Sequence, residues 1–565
     1  MKQPIAYIIV AGTLAFNARA EVKPNALFSN NAVLQQNVKV PVWGTAAPNE
    51  SVTVEFAGQK KIATADPQGR WQVILDPMPA TAAARDLTIS GNLKSQISNF
   101  KCSNVLVGEV WMCAGQSNMN NGFDSADTAP KEGPLANHPQ LREFHVVAKS
   151  AISPTTDLSY DEKRGGHWRV CSPTSVGYFG AVSYFFGRDV HKATGVPVGL
   201  IRSAIGGTAA QCWTSLEGLQ KEPTLSGYVD LYNKEVPGYE AEAAKYPQAM
   251  AEFQAKYKEW QNSVGTDYQA AVKAVNDANK KGQAEGKPVI ARPTPPIAPP
   301  KQPRQPGGGA GTPTLLFNGM IAPVIPYAIK GAIWYQGEAN SAKGLEYRTL
   351  LPCLIADWRK KWGVGDFPFL LVQICPFKDM TPEIREAQFL TSLKTPNTAM
   401  AVTVDVGMAN DIHPPFKEPI GARLALGARA LAYGEKIEYS GPAYDSLKIE
   451  NNRAVLGFKH LGGGLVAKGG PLKGFTIAAA DHNFLPAVAE IQGDTVVVQS
   501  DKVAAPVAVR YGWANVPDVN LWNKAGLPTS PFRTDTETID PPPVRNKTSS
   551  NKPAPSSAVP APANP

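Results

Sequence analysis

Cysteine is scarce in this chain. The six among 565 residues (Cys102, Cys113, Cys171, Cys212, Cys353 and Cys375) fit no Cys-x-x-Cys or comparable metal spacing. No metal site is therefore expected. Charge is modest as well, at 18% Asp, Glu, Lys and Arg with a formal net charge of +8. The basic residues are scattered rather than massed on one stretch, which argues against a nucleic-acid partner. Long apolar runs are missing beyond the N-terminus, so no membrane anchor is expected. The one early run, Ile5 to Phe16, is too short to span a bilayer; Lys2 precedes it and Ala18-Arg19-Ala20 follows as a small-x-small cleavage site. This predicts a signal peptide over residues 1–20 and a secreted or periplasmic protein. Export permits disulfides, yet Cys113 and Cys375 lie in strand-like apolar runs that suit buried thiols equally well. No pairing can be read.

What is present is ample core-forming material, 43% hydrophobic residues, in a chain long enough for about three or four domains. Residues 21–103 read as an N-terminal β-sandwich. Val52, Val54 and Phe56 alternate with polar residues, Asp66-Pro67-Gln68-Gly69 makes a turn, and Trp71, Val73 and Leu75 alternate again. An exposed tryptophan there could bind sugar, but Trp43 and Trp71 are expected in the core. Residues 104–440 then read as strands separated by helices. Strands are expected at Val105 to Cys113, Val198 to Ile201, Ile329 to Tyr335, Phe369 to Ile374 and Ala401 to Val406, with helices including Ala181 to Thr194 and Lys417 to Ala432. The alternation predicts an α/β fold with a mostly parallel sheet covered on both faces.

An insertion at 239–314 interrupts this unit. Phe253, Tyr257 and Trp260 mark one helix face, and a proline-rich stretch ending in Gly307-Gly308-Gly309 reads as a connector. Residues 441–540 return to β patterns, and 541–565 are too rich in Pro, Ala and Ser to fold.

Four polar loops follow predicted strands, and in an open parallel sheet the ligand crevice lies outside those strand ends. Gly115-Gln116-Ser117-Asn118 offers a hydroxyl on a sharp turn. The Gly-x-Ser-x-Gly elbow itself is absent, since Met119 stands where the second glycine belongs. Gly206-Gly207-Thr208 offers backbone N–H groups that no side chain blocks. Gln336-Gly337-Glu338-Ala339-Asn340 offers two amide side chains as further donors to an oxyanion, with Glu338 read as a structural carboxylate. Asn410-Asp411-Ile412-His413-Pro414 offers a base and a carboxylate. Nucleophile, oxyanion donors and an oriented base are what acyl transfer requires.

The block Gly-Glu-Val-Trp-Met-Cys-Ala-Gly-Gln-Ser-Asn-Met at 108–119 resembles the nucleophile block of sialate O-acetylesterases, a branch of the SGNH-hydrolase (GDSL-like) superfamily. Asn318 to Pro323, Ile333 to Glu338, Asp411 to Pro414 with Arg423 to Ala425, and Ser530 to Asp535 are similar to that family too. The resemblance implies a flavodoxin-like α/β core and an esterase that removes acetyl groups from O-acetylated sugars without metal or organic cofactor. It assigns Ser117 as nucleophile and His413 as base, with Gly206 or Gly207, Gln336 and the Ser117 N–H around the oxyanion; Asn340 lies nearby. The third member is open. The family commonly has aspartate three residues before the histidine, where this chain has Asn410, so Asp411, Asp405 or a backbone carbonyl is left to orient His413. Sialic acid is the first substrate expected, with acetylxylan or another polysaccharide as the alternative. A non-catalytic carbohydrate-binding protein has no need of the full Ser, Gly, Gln and His set. Oligomeric state is not legible.

Overall fold

The computed structural model describes residues 22–93, 96–263, 265–284 and 311–535, with scattered positions between 293 and 303. The expected signal peptide at 1–20, the 541–565 tail and most of the proline-rich connector lie outside the described residues. The strands Lys23–Pro24 (β1), Val33–Gln35 (β2), Val40–Thr45 (β3), Ser51–Phe56 (β4), Gln59–Thr64 (β5), Arg70–Leu75 (β6) and Thr81–Leu93 (β7) precede the long strand Gln96–Gly115 (β8). β1, β3 and β6 form one sheet, while β5, β4 and β7 make an antiparallel ladder onto the first half of β8. Val52, Val54 and Phe56 of β4 and Trp71, Val73 and Leu75 of β6 all turn into one apolar cluster. β8 passes residue 103 unbroken, so the N-terminal β structure and the central sheet share a strand.

The second half of β8 joins His138–His145 (β9), Trp168–Cys171 (β10), Val198–Ala204 (β11), Gly331–Tyr335 (β12), Phe369–Val372 (β13) and Thr398–Ala401 (β14), in the order β10-β9-β11-β8-β12-β13-β14. Every neighbouring pair is parallel except β10 with β9. The five expected strands thus lie β11-β8-β12-β13-β14, a 2-1-3-4-5 order that reverses beside β8. β9 was not expected because Arg142 and Glu143 break its apolar run; both are buried, Glu143 against Arg202 at 2.9 Å. The last strand comes earlier than the expected 401–406. Beyond Ala401 the polar side chains take other partners, Thr403 Oγ1 donating to the Gln373 carbonyl at 2.7 Å and Asp405 accepting from Arg423.

Side chains alternate across the sheet as the pleat requires. Trp334 and Leu371 face one way with Leu350, Leu354 and Trp358 of Gly344–Trp362 and Ile384 of Pro382–Lys394. Ile333, Tyr335 and Leu370 face the other way with Phe185 and Phe186 of Ala181–Thr194 and Ile420 and Leu424 of Lys417–Leu431. Burying each such Ile, Leu or Phe stabilises the fold by about 1.5–3 kcal/mol.

The insertion contains two helices, Tyr239–Ser263 and Gly265–Ala284, and its aromatic face meets the returning chain, Trp260 Nε1 donating to the Ile297 carbonyl at 2.6 Å. The C-terminal strands include Arg453–Lys459, Thr495–Gln499 and Ala508–Tyr511. This region is tied to the central unit by Arg533 Nε on Glu386 at 2.8 Å and Gln373 Nε2 on Ser530 Oγ at 2.8 Å. Cys102, Cys113, Cys171, Cys353 and Cys375 are free thiols. Burial pushes the Cys102 and Cys171 thiols up to about 12.

Candidate active site

The turn after β8 is dictated by what surrounds it. Gly115 has φ +145°, and a Cβ there would stand 2.1 Å from the Tyr335 carbonyl oxygen, so only glycine passes β12 at this point. Gln116 N–H donates to that carbonyl at 3.0 Å, and Gln116 Oε1 accepts the N–H groups of Gly337 and Ala339 at 3.4 and 3.2 Å. The loop after β8 is thereby stitched to the loop after β12. Ser117 opens the short helix Ser117–Asn120 and is partly exposed. The first N–H groups of a helix have no intrahelical acceptor, which leaves the Ser117 N–H available to a ligand. At the far end of the helix, Arg202 Nη1 of β11 donates to the Asn120 carbonyl at 3.1 Å and to Asn120 Oδ1 at 2.9 Å.

The loop after β11 runs beside this serine. A Cβ on Gly206 would stand 3.3 Å from Ser117 Cβ, and Gly207 takes a left-handed φ of +72°. His413 arrives from the loop between β14 and Lys417–Leu431. Its Nε2 lies 2.8 Å from Ser117 Oγ. Two bonds shape that loop: Asp411 Oδ1 accepts the His413 backbone N–H at 2.8 Å, and Asn118 Nδ2 donates to the Ile412 carbonyl at 3.0 Å. Partial desolvation of the ring lowers the His413 pKa, the Lys417 ammonium pushes it the same way, and Asp411 opposes both. A largely neutral imidazole therefore faces the hydroxyl at neutral pH and can take its proton.

The structure brings Ser117, Gly206 and His413 together, and it uses the other expected residues differently. Gln336 is fully buried. Its Nε2 donates to the Thr208 carbonyl at 3.2 Å and to Asn340 Oδ1 at 2.8 Å, while its Oε1 accepts from Tyr347 at 2.8 Å. Asn340 is buried too, with Oδ1 also accepting the Ala210 N–H at 2.9 Å and Nδ2 on Gln211 Oε1 at 3.1 Å. Expected as donors to an oxyanion, these amides instead have their hydrogens committed to a network that ties the loop after β12 to residues 208–211. The Asp411 carboxylate accepts the backbone N–H of His413, and Asp405 is held by Arg423 through two bonds at 2.7 and 2.6 Å.

Two residues of the site escape sequence reasoning. Asn118 and Lys417 are both fully buried, and Lys417 Nζ donates to Asn118 Oδ1 at 2.6 Å. An asparagine in a turn and a lysine opening a helix are ordinary surface residues, and nothing in the pattern marks their burial. Glu338, read as structural, is buried against Asn118 Nδ2 at 2.7 Å. Desolvation raises its pKa, with Asn118 and Lys417 opposing. Among the described residues no group of three His, Cys, Asp or Glu side chains is placed to hold a metal ion. A cavity of about 510 Å³ lies elsewhere, walled by Trp43, Trp71 and Asp157, whereas Ser117 and His413 sit on an open rim.

Residues 316–426 match the family described as carbohydrate esterase, sialic acid-specific acetylesterase. The chain is similar to sialate O-acetylesterase of Rattus norvegicus, 28% identical over 86% of this chain and 89% of that one. The Homo sapiens sialate O-acetylesterase is 27% identical over 89% of this chain and 91% of its own. A crystal structure of a carbohydrate acetylesterase from Xanthomonas citri is similar at 34% identity with a TM-score of 0.71, covering 91% of this chain and 99% of that one. With so long a match to both sequence and fold, the chain belongs to the sialate O-acetylesterase family of carbohydrate esterases and is a carboxylic ester hydrolase.

Proposed function

We propose that the chain is an SGNH-type serine esterase that removes O-acetyl groups from carbohydrates, sialic acid first among them. The observation that carries this reading is the 2.8 Å approach of His413 Nε2 to Ser117 Oγ, beside Gly206, at the reversal point of a parallel sheet. Ser117 Oγ attacks the acetyl carbonyl while His413 takes its proton. The negative oxygen that forms is met by the N–H groups of Ser117 and Gly206; losing one such donor typically costs about a hundred- to a thousand-fold in turnover. Collapse of the tetrahedral intermediate returns the proton from His413 to the departing sugar alcohol and leaves acetyl on Ser117. His413 then activates water, and acetate leaves.

In this reading Asp411 acts through its charge and through the turn it makes with the His413 N–H, while Gln336 and Asn340 hold the loops in place. Organisation into an N-terminal β unit, an esterase unit and a C-terminal β unit, and export before action, belong to the same proposal. The substrate named for the curated relatives supports sialic acid, and the broader description of the Xanthomonas citri protein supports carbohydrate esters generally. The discriminating experiment is acetate release from O-acetylated sialic acid and from acetylxylan, side by side. Faster release from the sialic acid ester is expected; release from acetylxylan alone would overturn the substrate, and release from neither would overturn the function.

A further inference from the structure

Lys417 sits where elementary electrostatics argues against a lysine. It is the first residue of the helix Lys417–Leu431, the end at which the helix dipole favours negative charge. Its side chain is fully buried, and desolvation lowers its pKa. Burying an ammonium is costly unless it is well partnered. The partners here are Asn118 Oδ1 at 2.6 Å and the Tyr335 ring, whose centroid is 5.8 Å away. Asn118 in turn donates through Nδ2 to Glu338 Oε1 at 2.7 Å and to the Ile412 carbonyl at 3.0 Å. The second Glu338 oxygen is buried without a hydrogen-bond partner among the described residues. Such a half-satisfied buried network is a poor way to gain stability, so its value has to lie in what it holds.

What it holds is both halves of the reactive pair. Asn118 is covalently next to Ser117 and hydrogen-bonded to Ile412, the residue before His413. We propose that Lys417, acting through Asn118, is a positioning residue that sets the His413 ring against the Ser117 hydroxyl. The inference rests on the reading of Ser117 as nucleophile and His413 as base. The charged and titratable groups facing Lys417 are Glu338, Asp411 and Cys375, with Tyr335 under the ammonium; those facing His413 are Lys417 and Asp411. The Lys417 charge disfavours protonation of His413. Without it, His413 protonates at a higher pH, and the acid limb of an activity profile that needs neutral His413 moves upward.

The test uses the full chain with 4-nitrophenyl acetate. Lys417→Met is expected to lower kcat about ten- to a hundred-fold, as expected for misplaced reacting groups, with KM within about twofold and the acid limb shifted to higher pH. A variant with normal kcat, or with reduced kcat but an unmoved acid limb, overturns the proposal. Should Lys417→Met not fold, Asn118→Ser removes the same link, with the same kcat loss at unchanged KM expected; a kcat within about threefold of wild type overturns it. The His413 ring titration, followed by NMR in a Ser117→Ala background with and without Lys417→Met, needs no turnover. An upward shift with Lys417→Met supports the coupling even if the esterase reading of Ser117 fails, and no shift overturns it.

Discussion

The loops after β8 and β12 leave neighbouring strands at the same end of the sheet and are bonded to each other through Gln116, yet they spend their polar groups in opposite ways. The first presents the Ser117 hydroxyl to a half-open rim with His413 on it. The second turns Gln336 and Asn340 inward, where each amide is surrounded by protein partners. Under the proposed mechanism, polar residues at a strand end divide into those that act on a ligand and those that hold them still. Hydrogen-bond saturation tells them apart, and residue type does not.

Three substitutions probe this division. The largest effect is expected for Ser117→Ala, a loss of roughly 10⁴-fold or more in kcat with the melting temperature unchanged, because the nucleophile proposed here cannot be replaced by its neighbours. Steady-state kinetics and thermal unfolding on the same preparation check it, and a mild loss would remove Ser117 from the chemistry. Gln336→Ala should behave in the reverse sense. It strands the buried Thr208 carbonyl, at about 1–3 kcal/mol, and takes one of their hydrogen bonds from Asn340 Oδ1 and the Tyr347 hydroxyl. Unfolding should come much earlier, while kcat of the folded enzyme stays within about tenfold of wild type. A loss of a hundred- to a thousand-fold at unchanged stability, the size typical of a missing oxyanion donor, would move Gln336 to the acting side.

The smallest effect is expected for Asp411→Asn. The Asp411 charge favours protonated His413, so its removal lowers the imidazole pKa further and carries the acid limb of the pH–rate profile to lower pH. Amide oxygen in place of carboxylate still accepts the His413 N–H, so kcat on the plateau should drop by no more than about an order of magnitude. A collapse of about 10⁴-fold, as seen when a triad aspartate is replaced, would instead give Asp411 a direct bond to the ring during turnover.

Much of the fold was legible because it rests on local signals. The alternation of Val52, Val54 and Phe56 and the apolar runs of β8 (broken only by Glu109 between Val105 and Cys113), β11 (up to Ile201), β12 and β13 report burial on one face and on two. Ser117 and His413 were legible for a related reason: a hydroxyl after Ala-Gly and an imidazole between Asp411 and Pro414 are chemically conspicuous. The rest depended on partners far away in sequence. β9 hides because Glu143 is neutralised by Arg202, and the fifth strand ends early because Thr403 and Asp405 find partners outside the sheet. The burial of Gln336 and Lys417 is invisible for the same reason, since Gln336 spends one of its amide hydrogens on Thr208 and Lys417 donates to Asn118, both distant in sequence.

The most direct measurement is covalent capture of the nucleophile. The intact protein is treated with an activated phosphate ester that mimics the acetyl substrate, and the adduct is mapped by peptide mass spectrometry in wild type and in His413→Ala. A single adduct on Ser117 is expected, and its formation should slow by orders of magnitude without His413. An adduct on another residue, or labelling of Ser117 at an undiminished rate in His413→Ala, would contradict it.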